Sequence, residues 1–357
     1  MAQIKDNPPW INKVQNYLRL QLPLKWWFSA LTACLGTLAG LLGSIYGTNI
    51  QNAFPFNWGS GPIVSQVVLF WISLIIFGCF FGLGFGAQNE ATNKLEQMMR
   101  TLPPKGFLVT FETLFSNCFK VYWNASEAQN KPELVLAITT SLKGVLFLLK
   151  AFDTRHDHPQ YSANIMLFKP IHEVSADSLK HVLFKEPGYD FNAWDGVLEL
   201  QSEYAFSLID DAPTPDKIPT IMLPVPKEEF RFDKGKPTVL PGAPAAFCDP
   251  TKSVGFENTL QLSTWCRQHS GLRESVAEEV EKYFVDGPGK EIRSFISIPI
   301  LLPSTVPDAT PTILGVLNLH SNRDRILPGE KAGLFVPLTA PFTSLIARSL
   351  QKYGSLP

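Results

Sequence analysis

Charged residues and histidine are missing from one long tract near the start of the sequence. No Asp, Glu, Lys, Arg or His occurs from residue 26 to residue 89. Two apolar runs lie in this tract, WWFSALTACLGTLAGLLGSIYG from Trp26 and IVSQVVLFWISLIIFGCFFGLGFGA from Ile63, and each exceeds the roughly 20 residues that a helix needs to cross a bilayer. The Asn-, Gly- and Pro-rich stretch TNIQNAFPFNWGSGP between them indicates a turn. The pattern predicts a transmembrane hairpin, with transmembrane helices at 26–48 and 63–88 and a loop at 49–62.

Two other structures could produce a long apolar run at this position. A cleaved signal peptide has a shorter apolar core with a small-residue cleavage site, and it is not followed by a second span. A buried helical hairpin of a soluble protein stays open as an alternative, although soluble helices usually show a polar face. The transmembrane hairpin is the interpretation that the uncharged tract favours.

Glycine is frequent in both predicted spans. Each glycine inside a soluble helix costs about 1 kcal/mol relative to alanine, whereas in lipid small residues four apart let two helix backbones approach closely. The glycines with this spacing are Gly36, Gly40, Gly43 and Gly47 in the first span and Gly78, Gly82 and Gly86 in the second. They predict that the two spans of one hairpin pack on each other; alternatively, a second glycine face joins several hairpins into a bundle or pore.

Positive charges flank the predicted hairpin and are missing from its loop. Lys5, Lys13, Arg19 and Lys25 precede the first span, and Lys94, Arg100 and Lys105 follow the second. Because positively charged flanks stay in the cytoplasm, we expect an inner-membrane, multi-pass protein with both termini cytoplasmic. The order is then a cytosolic segment at 1–25, the hairpin with its extracytoplasmic loop, a helical stalk at 89–105 and a cytosolic domain at 106–357.

Beyond the stalk the apolar positions first follow helical and then strand-like spacing. Helices are predicted over GFLVTFETLFSNCFKVYW from Gly106 and ELVLAITTSLKGVLFLLKAF from Glu133, the second as a core helix. Strands are predicted over ANIMLFKP, GVLELQSEYAFSLI, TIMLPVP, RSFISIPILL and TILGVLNLHS. Further helices are predicted over LSTWCRQ, ESVAEEVEKYF and the second half of GLFVPLTAPFTSLIARSLQKY. The fold class is therefore α+β, with a sheet covered on its faces.

Composition limits the partners and the compartment. Charged residues make up 18% of the chain and the net charge is -1, so nothing attracts the protein to nucleic acid over long range. The cysteines are odd in number, 5, and none form a C-x-x-C pair, which disfavours a disulfide framework or a zinc knuckle. A reducing compartment fits this cysteine usage.

Two of the predicted strands resemble the last two strands of GAF domains. There a Ser-x-hydrophobic-x-Pro strand precedes a Gly-Val-Leu-Asn-hydrophobic strand, and the matching residues are Ser297, Pro299, Gly315, Val316, Leu317 and Asn318. The order of helices, first strand ANIMLFKP and final helix is also similar, over roughly residues 106–353. The resemblance implies a central antiparallel sheet flanked by helices that binds cyclic nucleotides or other small molecules, or a second copy of itself. The long, proline-rich stretch from Asp210 to Asp249 departs from the family pattern.

A ligand-binding site is expected in the segment that covers the sheet, around the stretch from Asp210 to Asp249, and in the helix that follows it. Phe247, Trp265, Arg267, His269 and Arg273 combine aromatic surface with cationic donors, which suits a small anionic or nucleotide-like ligand. Alternatively these side chains pack or face solvent, and the pocket has become a dimerisation surface.

No catalytic set is recognisable, and we expect no enzyme, cofactor or metal. His156 and His158 form an H-x-H pair that could ligate a metal, but their polar neighbours indicate a solvated loop. Cys266 and His269 are spaced as neighbours on a helix and could form a thiol–imidazole pair, although lining a core or pocket explains them as well.

The layout predicts a membrane-anchored cytosolic sensor whose GAF-like domain passes a signal through the stalk to the hairpin. In its sharpest form the protein is a membrane-disrupting effector of bacterial antiviral defence, acting as a homo-oligomer. Alternatively the hairpin is a passive tether and the domain is a dimerisation or protein-recruitment scaffold. A third hypothesis is an enzyme that uses Cys266.

Overall fold

The computed structural model describes residues 26–52, 64–153, 159–185, 191–216, 219–303, 311–327 and 331–356. The chain divides into two compact units, Met1–Arg100 and Thr101–Pro357. The predicted cytosolic segment 1–25 and most of the predicted loop 49–62 lie outside the described residues.

The described part of the first unit consists of two long helices, α1 (Trp26–Asn52) and α2 (Val64–Thr101). The helix α2 runs without a break through the residues where the sequence predicts the change from span to stalk. The ring centroids of Phe28 and Phe80 lie 5.0 Å apart between the two helices. A Cβ atom at Gly36 would come within 2.8 Å of the Phe77 ring. At Gly36 the two helices therefore lie too close together to leave room for a side chain.

By length and composition alone, three helices in the described part of the chain could cross a membrane: Val68–Glu90, Lys131–Phe152 and Lys331–Ser355. The first helix contains a shorter apolar stretch, Ala30–Ile45. Burial separates the three, because only 6% of the apolar stretch in Val68–Glu90 is buried, whereas half or more of that in each of the other two is buried. The apolar residues of the other two form the core of the second unit.

The second unit begins with the helices α3 (Phe107–Ala128) and α4 (Lys131–Phe152). Its strands are β1 (Tyr161–Pro170), β2 (Trp194–Ile209), β3 (Ala212–Pro215), β4 (Met222–Pro226), β5 (Phe232–Asp233), β6 (Lys236–Pro237), β7 (Val254–Phe256), β8 (Ser294–Leu302) and β9 (Thr312–Ser321). The remaining helices are α5 (Ala243–Cys248), α6 (Leu262–His269), α7 (Glu274–Val285) and α8 (Lys331–Ser355).

The main sheet is antiparallel throughout its described pairings, in the order β3-β2-β1-β9-β8-β7. Strand β4 also pairs with β2, along the first half of that long strand. Strands β5 and β6 form a separate small hairpin. The order places β1, β9 and β8 side by side in the middle of the sheet.

One face of the sheet is covered by α3, α4 and α8. Alternate strand residues point to this face and join one apolar cluster with the helices: Ala163, Ile165, Tyr204, Phe206, Ile296, Ile298, Ile300, Leu317 and Leu319. The helices meet at Gly144 of α4, where a Cβ atom would lie 2.9 Å from the sulfur of Cys118 in α3 and 3.0 Å from the ring of Phe342 in α8. A larger residue at Gly144 would push the three helices apart.

The helix α4 begins at a defined cap. The side chain of Asn130 accepts a hydrogen bond of 3.0 Å from the backbone N–H of Glu133, and Pro132 lies in the first turn, where its missing N–H costs nothing. Despite its apolar length, α4 is buried in the domain, in agreement with the predicted core helix.

The α+β class and the antiparallel sheet are confirmed, and the expected extent of the last helix is wrong. The sequence predicts a helix only in the second half of the closing stretch, GLFVPLTAPFTSLIARSLQKY. In the structure α8 starts at Lys331 and contains both Pro337 and Pro341. Burial of Phe335 and Phe342, both with no exposed surface, outweighs the unfavourable helix propensity of proline.

Candidate functional site

A cavity of about 130 Å³ lies on the opposite face of the sheet from the α3–α4–α8 layer. Its floor comes from the middle strands β1, β8 and β9. Its walls come from the segment after β6 together with the helices α6 and α7. The cavity thus lies between the sheet and the segments that cover this face.

Four polar side chains form the floor of this cavity: Asn164 of β1, Ser297 of β8, and Asn318 and His320 of β9. Antiparallel pairing places Asn318 of β9 between Asn164 of β1 on one side and Ser297 of β8 on the other. Because side chains alternate between the two faces of a strand, all four project from the same face.

A chain of hydrogen bonds joins the polar floor. The hydroxyl of Ser297 donates to Oδ1 of Asn318 over 2.7 Å. The amide nitrogen of Asn318 donates to Oδ1 of Asn164 over 2.9 Å, and the amide nitrogen of Asn164 lies 3.4 Å from Nε2 of His320. Since the nitrogen of an amide can only donate, Nε2 of His320 is the acceptor and the proton of the neutral ring is on Nδ1.

His320 is held in its neutral form. Burial lowers its pKa from 6.5 to about 4, because the charged ring would lose its hydration. The other ionisable side chain of the lining is Tyr283, and burial raises its pKa. Among the described lining residues, none therefore bears a charge at neutral pH.

The walls of the cavity are apolar. Leu240, Leu262, Val280 and Phe284 line it and are buried. Gly242 also lines the cavity and has a φ of 99°, which side chains strongly disfavour. A Cβ atom at Gly242 would lie 3.0 Å from the ring of Phe295. Glycine at this position lets the covering segment approach the sheet closely.

A second polar group lies next to the floor on the same face. The hydroxyls of Ser162 and Ser207 are 2.5 Å apart, and Ser207 donates to Oδ2 of Asp216 over 2.6 Å. Burial raises the pKa of the Asp216 carboxyl, while the bond from Ser207 lowers it in part. These three residues continue the polar side chains of the floor along the same face of the sheet, beyond the cavity.

The structure places none of the five sequence-predicted ligand residues in the lining of the cavity. Phe247 stacks on Phe168 with ring centroids 4.6 Å apart. Trp265 packs against Phe256, with ring centroids 6.0 Å apart, and the side chains of His269 and Arg273 are exposed. Contact of these residues with a ligand outside the cavity stays a prediction.

Arg267 is engaged by acidic residues of the covering helices. Its Nε lies 2.6 Å from Oε1 of Glu274 and its Nη2 lies 2.9 Å from Oε2 of Glu281. The guanidinium that seemed suited to an anionic ligand is thus already balanced by two carboxylates. Its role in the structure is to join α6 to α7.

Sequence reasoning missed Asn164 and His320 and did not assign Ser297 or Asn318 to the ligand. The sequence does contain a signal for these four residues, because each is a polar residue inside an otherwise apolar strand. A polar residue that is buried needs a hydrogen-bond partner. The alternation in ANIMLFKP, SFISIPILL and GVLNLHS therefore indicates the polar floor once the strands are paired.

The sequence also suggests a thiol–imidazole pair, Cys266 and His269, and an H-x-H pair, His156 and His158. The Cys266 thiol is buried, which raises its pKa to about 11, and the exposed His269 ring lies 6.2 Å from that of Trp265. His156 and His158 lie outside the described residues. Within the part of the chain that the structure covers, no group of three metal-binding side chains is found.

Comparisons with known proteins provide no assignment of a function. No protein-family model matches the sequence, and neither a curated protein nor a solved structure is similar enough to count as a match.

Proposed function

We propose that this chain is a two-pass membrane protein whose domain 106–357 is a GAF-like sensor of a small molecule. The observation that supports the proposal most directly is the cavity over the middle of the sheet, with a hydrogen-bonded polar floor and apolar walls. Small-molecule sites have this combination of mostly apolar lining and a few placed polar groups. The bound molecule alters the packing of the domain, and the signal passes to the hairpin.

The positions of the GAF-resembling residues support the sensor assignment. Ser297 and Asn318 come from the two strand motifs on which the resemblance rests. The strands pair at these residues, and their side chains are hydrogen-bonded to each other in the cavity floor. The order of two helices, first strand β1 and last helix α8 also agrees with the expected layout.

The exposed surface of the first unit supports insertion into a membrane. The large apolar side chains of Leu41, Ile45, Ile75, Phe81 and Phe85 are each more than half exposed, from 56% to 68%. Monomeric soluble proteins rarely leave a continuous apolar surface of this kind in water. A bilayer is the environment that removes it, with the termini in the cytoplasm as the flanking charges favour.

The surroundings of the glycines support a division of roles within the hairpin. A Cβ atom would lie 2.8 Å from the Phe77 ring at Gly36, 3.3 Å from the Phe70 ring at Gly43 and 3.6 Å from the Phe28 ring at Gly84. At Gly40, Gly78, Gly82 and Gly86 it would meet nothing within 4 Å, and the surroundings of Gly47 lie outside the described residues. The open glycines are those with room for a second hairpin, as the effector form of the hypothesis requires.

Membrane insertion is tested with the full-length protein. Carbonate washing of membranes should leave the chain in the pellet, and a reporter fused behind Pro357 should be active in the cytoplasm. Recovery of the full-length chain in the supernatant, or activity of the reporter outside the cell, would contradict the proposal.

Glycine substitutions separate an effector from a passive tether. The variant Gly40→Ile/Gly82→Ile places side chains where the hairpin itself is open, so each hairpin should still form. An effector should lose the membrane depolarisation that a potential-sensitive dye reports, whereas a tether should be indifferent. Gly36→Ile is the matched control, because its side chain would strike Phe77 and disturb the hairpin in both cases. An unchanged potential on expression of the wild-type protein would exclude the effector.

A further inference from the structure

We propose that the cavity binds an uncharged molecule of one ring that presents a hydrogen-bond donor and an acceptor on the same edge. The inference rests on the proposed function, since it names the ligand class of that sensor site. It replaces the anionic or nucleotide-like ligand that the sequence predicts. Three properties of the cavity lead to it: volume, charge and the bonding capacity of the floor.

The volume restricts the ligand to a small ring system. The cavity measures about 130 Å³, whereas sites for larger ligands typically enclose roughly 300–1,000 Å³. An apolar cavity of about 150 Å³ is known to take up a single benzene ring. A single six-membered ring therefore fits, and a nucleotide with its sugar and phosphate does not.

The described lining residues include no charged side chain that could balance the charge of an ionic ligand. Their ionisable groups, His320 and Tyr283, both have a pKa shifted toward the neutral form by burial. Arg267, one of the cations that the sequence suggests for an anionic ligand, does not line the cavity and is paired with two glutamates. Because an unpaired anion is costly to bury, the described lining selects against carboxylates and phosphates.

The floor can still donate and accept hydrogen bonds after its own chain is formed. Each asparagine amide has two N–H groups, and the chain uses one from Asn318 and one from Asn164. Ser297 donates its proton to Asn318, so its oxygen keeps lone pairs for a donor. A ligand edge with one donor beside one acceptor, as in a lactam, complements such a floor, while the apolar walls contact the ring faces.

Three related probes test the ligand class on the full-length protein in lipid nanodiscs. 2-Pyridone has the donor and acceptor on one edge, pyridine lacks the donor, and pyridine-2-carboxylate has a negative charge. Saturation-transfer NMR, corrected with empty nanodiscs, should show that 2-pyridone binds at least about 10-fold more tightly than pyridine, as one lost hydrogen bond to a polar site would give. The carboxylate should show no binding.

Two floor variants show whether binding occurs at this site. Asn318→Asp keeps the size of the side chain but removes its N–H donors, and it should abolish 2-pyridone binding. Ser297→Ala makes a milder change and should weaken binding several-fold, which keeps the test informative if Asn318→Asp fails to fold. Leu260→Ala, at an exposed position just before α6, should bind as the wild type does.

The outcomes separate this inference from the sensor proposal. Equal or tighter binding of the carboxylate, binding of no probe, or binding that neither floor variant changes would overturn the ligand class. If 2-pyridone binds as expected but the protein is washed from membranes by carbonate, the ligand class stands and the membrane proposal fails.

A second and independent observation concerns the outer face of α3. Four large apolar side chains on this helix are exposed: Leu108 (70%), Val109 (68%), Phe119 (45%) and Trp123 (55%). Glu112, Ser116 and Lys120 are exposed on the same side. An apolar surface with interspersed charges of both signs is typical of a protein contact.

We infer that this face pairs with α3 of a second copy, antiparallel and with Ser116 on the two-fold axis. Counted from Ser116, Glu112 and Lys120 lie four residues away on either side, and Val109 and Trp123 lie seven residues away. Antiparallel pairing then places Glu112 opposite Lys120 of the other copy and Val109 opposite Trp123. Since a two-fold interface uses the same patch on both subunits, a patch that is complementary to itself favours a second copy as the occupant.

Disulfide cross-linking and charge reversal test this pairing in the full-length protein. In a Cys34→Ala/Cys79→Ala background, which removes the exposed native thiols, Ser116→Cys should form a covalent dimer under mild oxidation. Leu108→Cys should not form a covalent dimer. Leu108 is also exposed, but it lies eight residues from the two-fold axis, so at 1.5 Å per residue the two copies of this position are roughly 24 Å apart. Failure of Ser116→Cys to cross-link, as expected if the face binds lipid or another protein, would overturn the inference.

Charge reversal adds a control that does not depend on oxidation. Glu112→Lys and Lys120→Glu should each weaken dimerisation several-fold, because both cross-pairs become repulsive. The double variant restores two attractive pairs and should dimerise as the wild type does. A double variant as weak as the single ones would contradict the pairing.

Discussion

The two faces of the central sheet are built from neighbouring residues of the same strands, yet they differ in chemistry. On the face under α3, α4 and α8, Ile298 and Leu317 belong to a continuous apolar core. One residue away, on the other face, Ser297 and Asn318 belong to a hydrogen-bonded floor. The backbone and the strand pairing are common to both, so the side chains alone account for the difference.

The two faces contribute to different properties of the domain: the helix face to stability and the cavity face to recognition. Burial of apolar side chains on the helix face stabilises the domain by about 25 cal/mol for each Å² removed from water. Buried polar groups on the cavity face contribute little net stability even when they are bonded. Their presence in the middle of the sheet therefore favours a role in recognition, and four changes can break or sharpen this division.

The largest expected effect comes from Leu317→Ala on the helix face. Leu317 has no exposed surface, and the change should lower the free energy of unfolding by about 2–5 kcal/mol. Asn318→Ala, the adjacent change on the cavity face, should cost about 1–3 kcal/mol through unpaired partners, with water in the cavity replacing part of the loss. Urea unfolding of the full-length protein in detergent measures both. A larger loss for Asn318→Ala would show that the floor, too, is structural.

The second effect is a dependence on pH that originates on the cavity face. The pKa of His320 is about 4 in the folded chain against 6.5 when unfolded, so the unfolded chain binds the proton first as the pH falls. Stability should therefore decrease from pH 6.5 down to 4 and be unaffected above 6.5. The full shift corresponds to roughly 3 kcal/mol, and partial hydration of the ring reduces this to about 2 kcal/mol.

The matched variant for this pH dependence is His320→Gln. Glutamine keeps an acceptor for the amide of Asn164 but does not titrate. Denaturation curves at pH 7 and pH 4.5 should therefore lie closer together for His320→Gln than for the wild type, with the carboxylates of the chain contributing equally to both. The same pH dependence in both proteins would mean that the imidazole is hydrated like a surface histidine.

The third effect concerns Gly242, at the edge of the cavity. Gly242→Ala forces a side chain into a backbone conformation with φ of 99° and toward the ring of Phe295. Strain of this kind costs about 1–3 kcal/mol, and the added methyl group should also weaken binding in the cavity. Gly333→Ala is the control, since it lies in α8 with nothing within 4 Å of the added atom. Equal stability of the two variants would show that the covering segment can move away from the sheet.

Local patterns were sufficient to locate most elements of the domain. Alternating apolar residues predict β1, β2, β4, β8 and β9 to within about two residues, since these strands are long and half-buried. Strands β3 and β7 were missed because three or four residues contain too few alternations to be read. The helical start of α8 was missed because tertiary packing outweighs the prolines.

The cavity could be predicted less well than the fold, for a physical reason. Its floor combines residues from β1, β8 and β9, which become neighbours only through the strand order, and no local pattern states that order. The residues chosen instead, such as Arg267 and Trp265, have the chemistry of ligand contacts but use it within the folded chain. Side-chain type indicates what a residue can bind, and pairing in the fold decides whether it is available.

The smallest expected effect arises where the helix face departs from its apolar character. Ser349 of α8 has no exposed surface, and its hydroxyl has no hydrogen-bond partner among the described residues. Ser349→Ala should raise the free energy of unfolding by about 1 kcal/mol, since it removes an unpaired polar group and improves helix propensity. Ser297→Ala, the same substitution in the hydrogen-bonded floor, should instead lower it. Thermal unfolding of the two variants side by side measures the difference. A gain in both would mean that polar groups are dispensable on either face, whereas opposite signs would show that serine is tolerated on one face and used on the other.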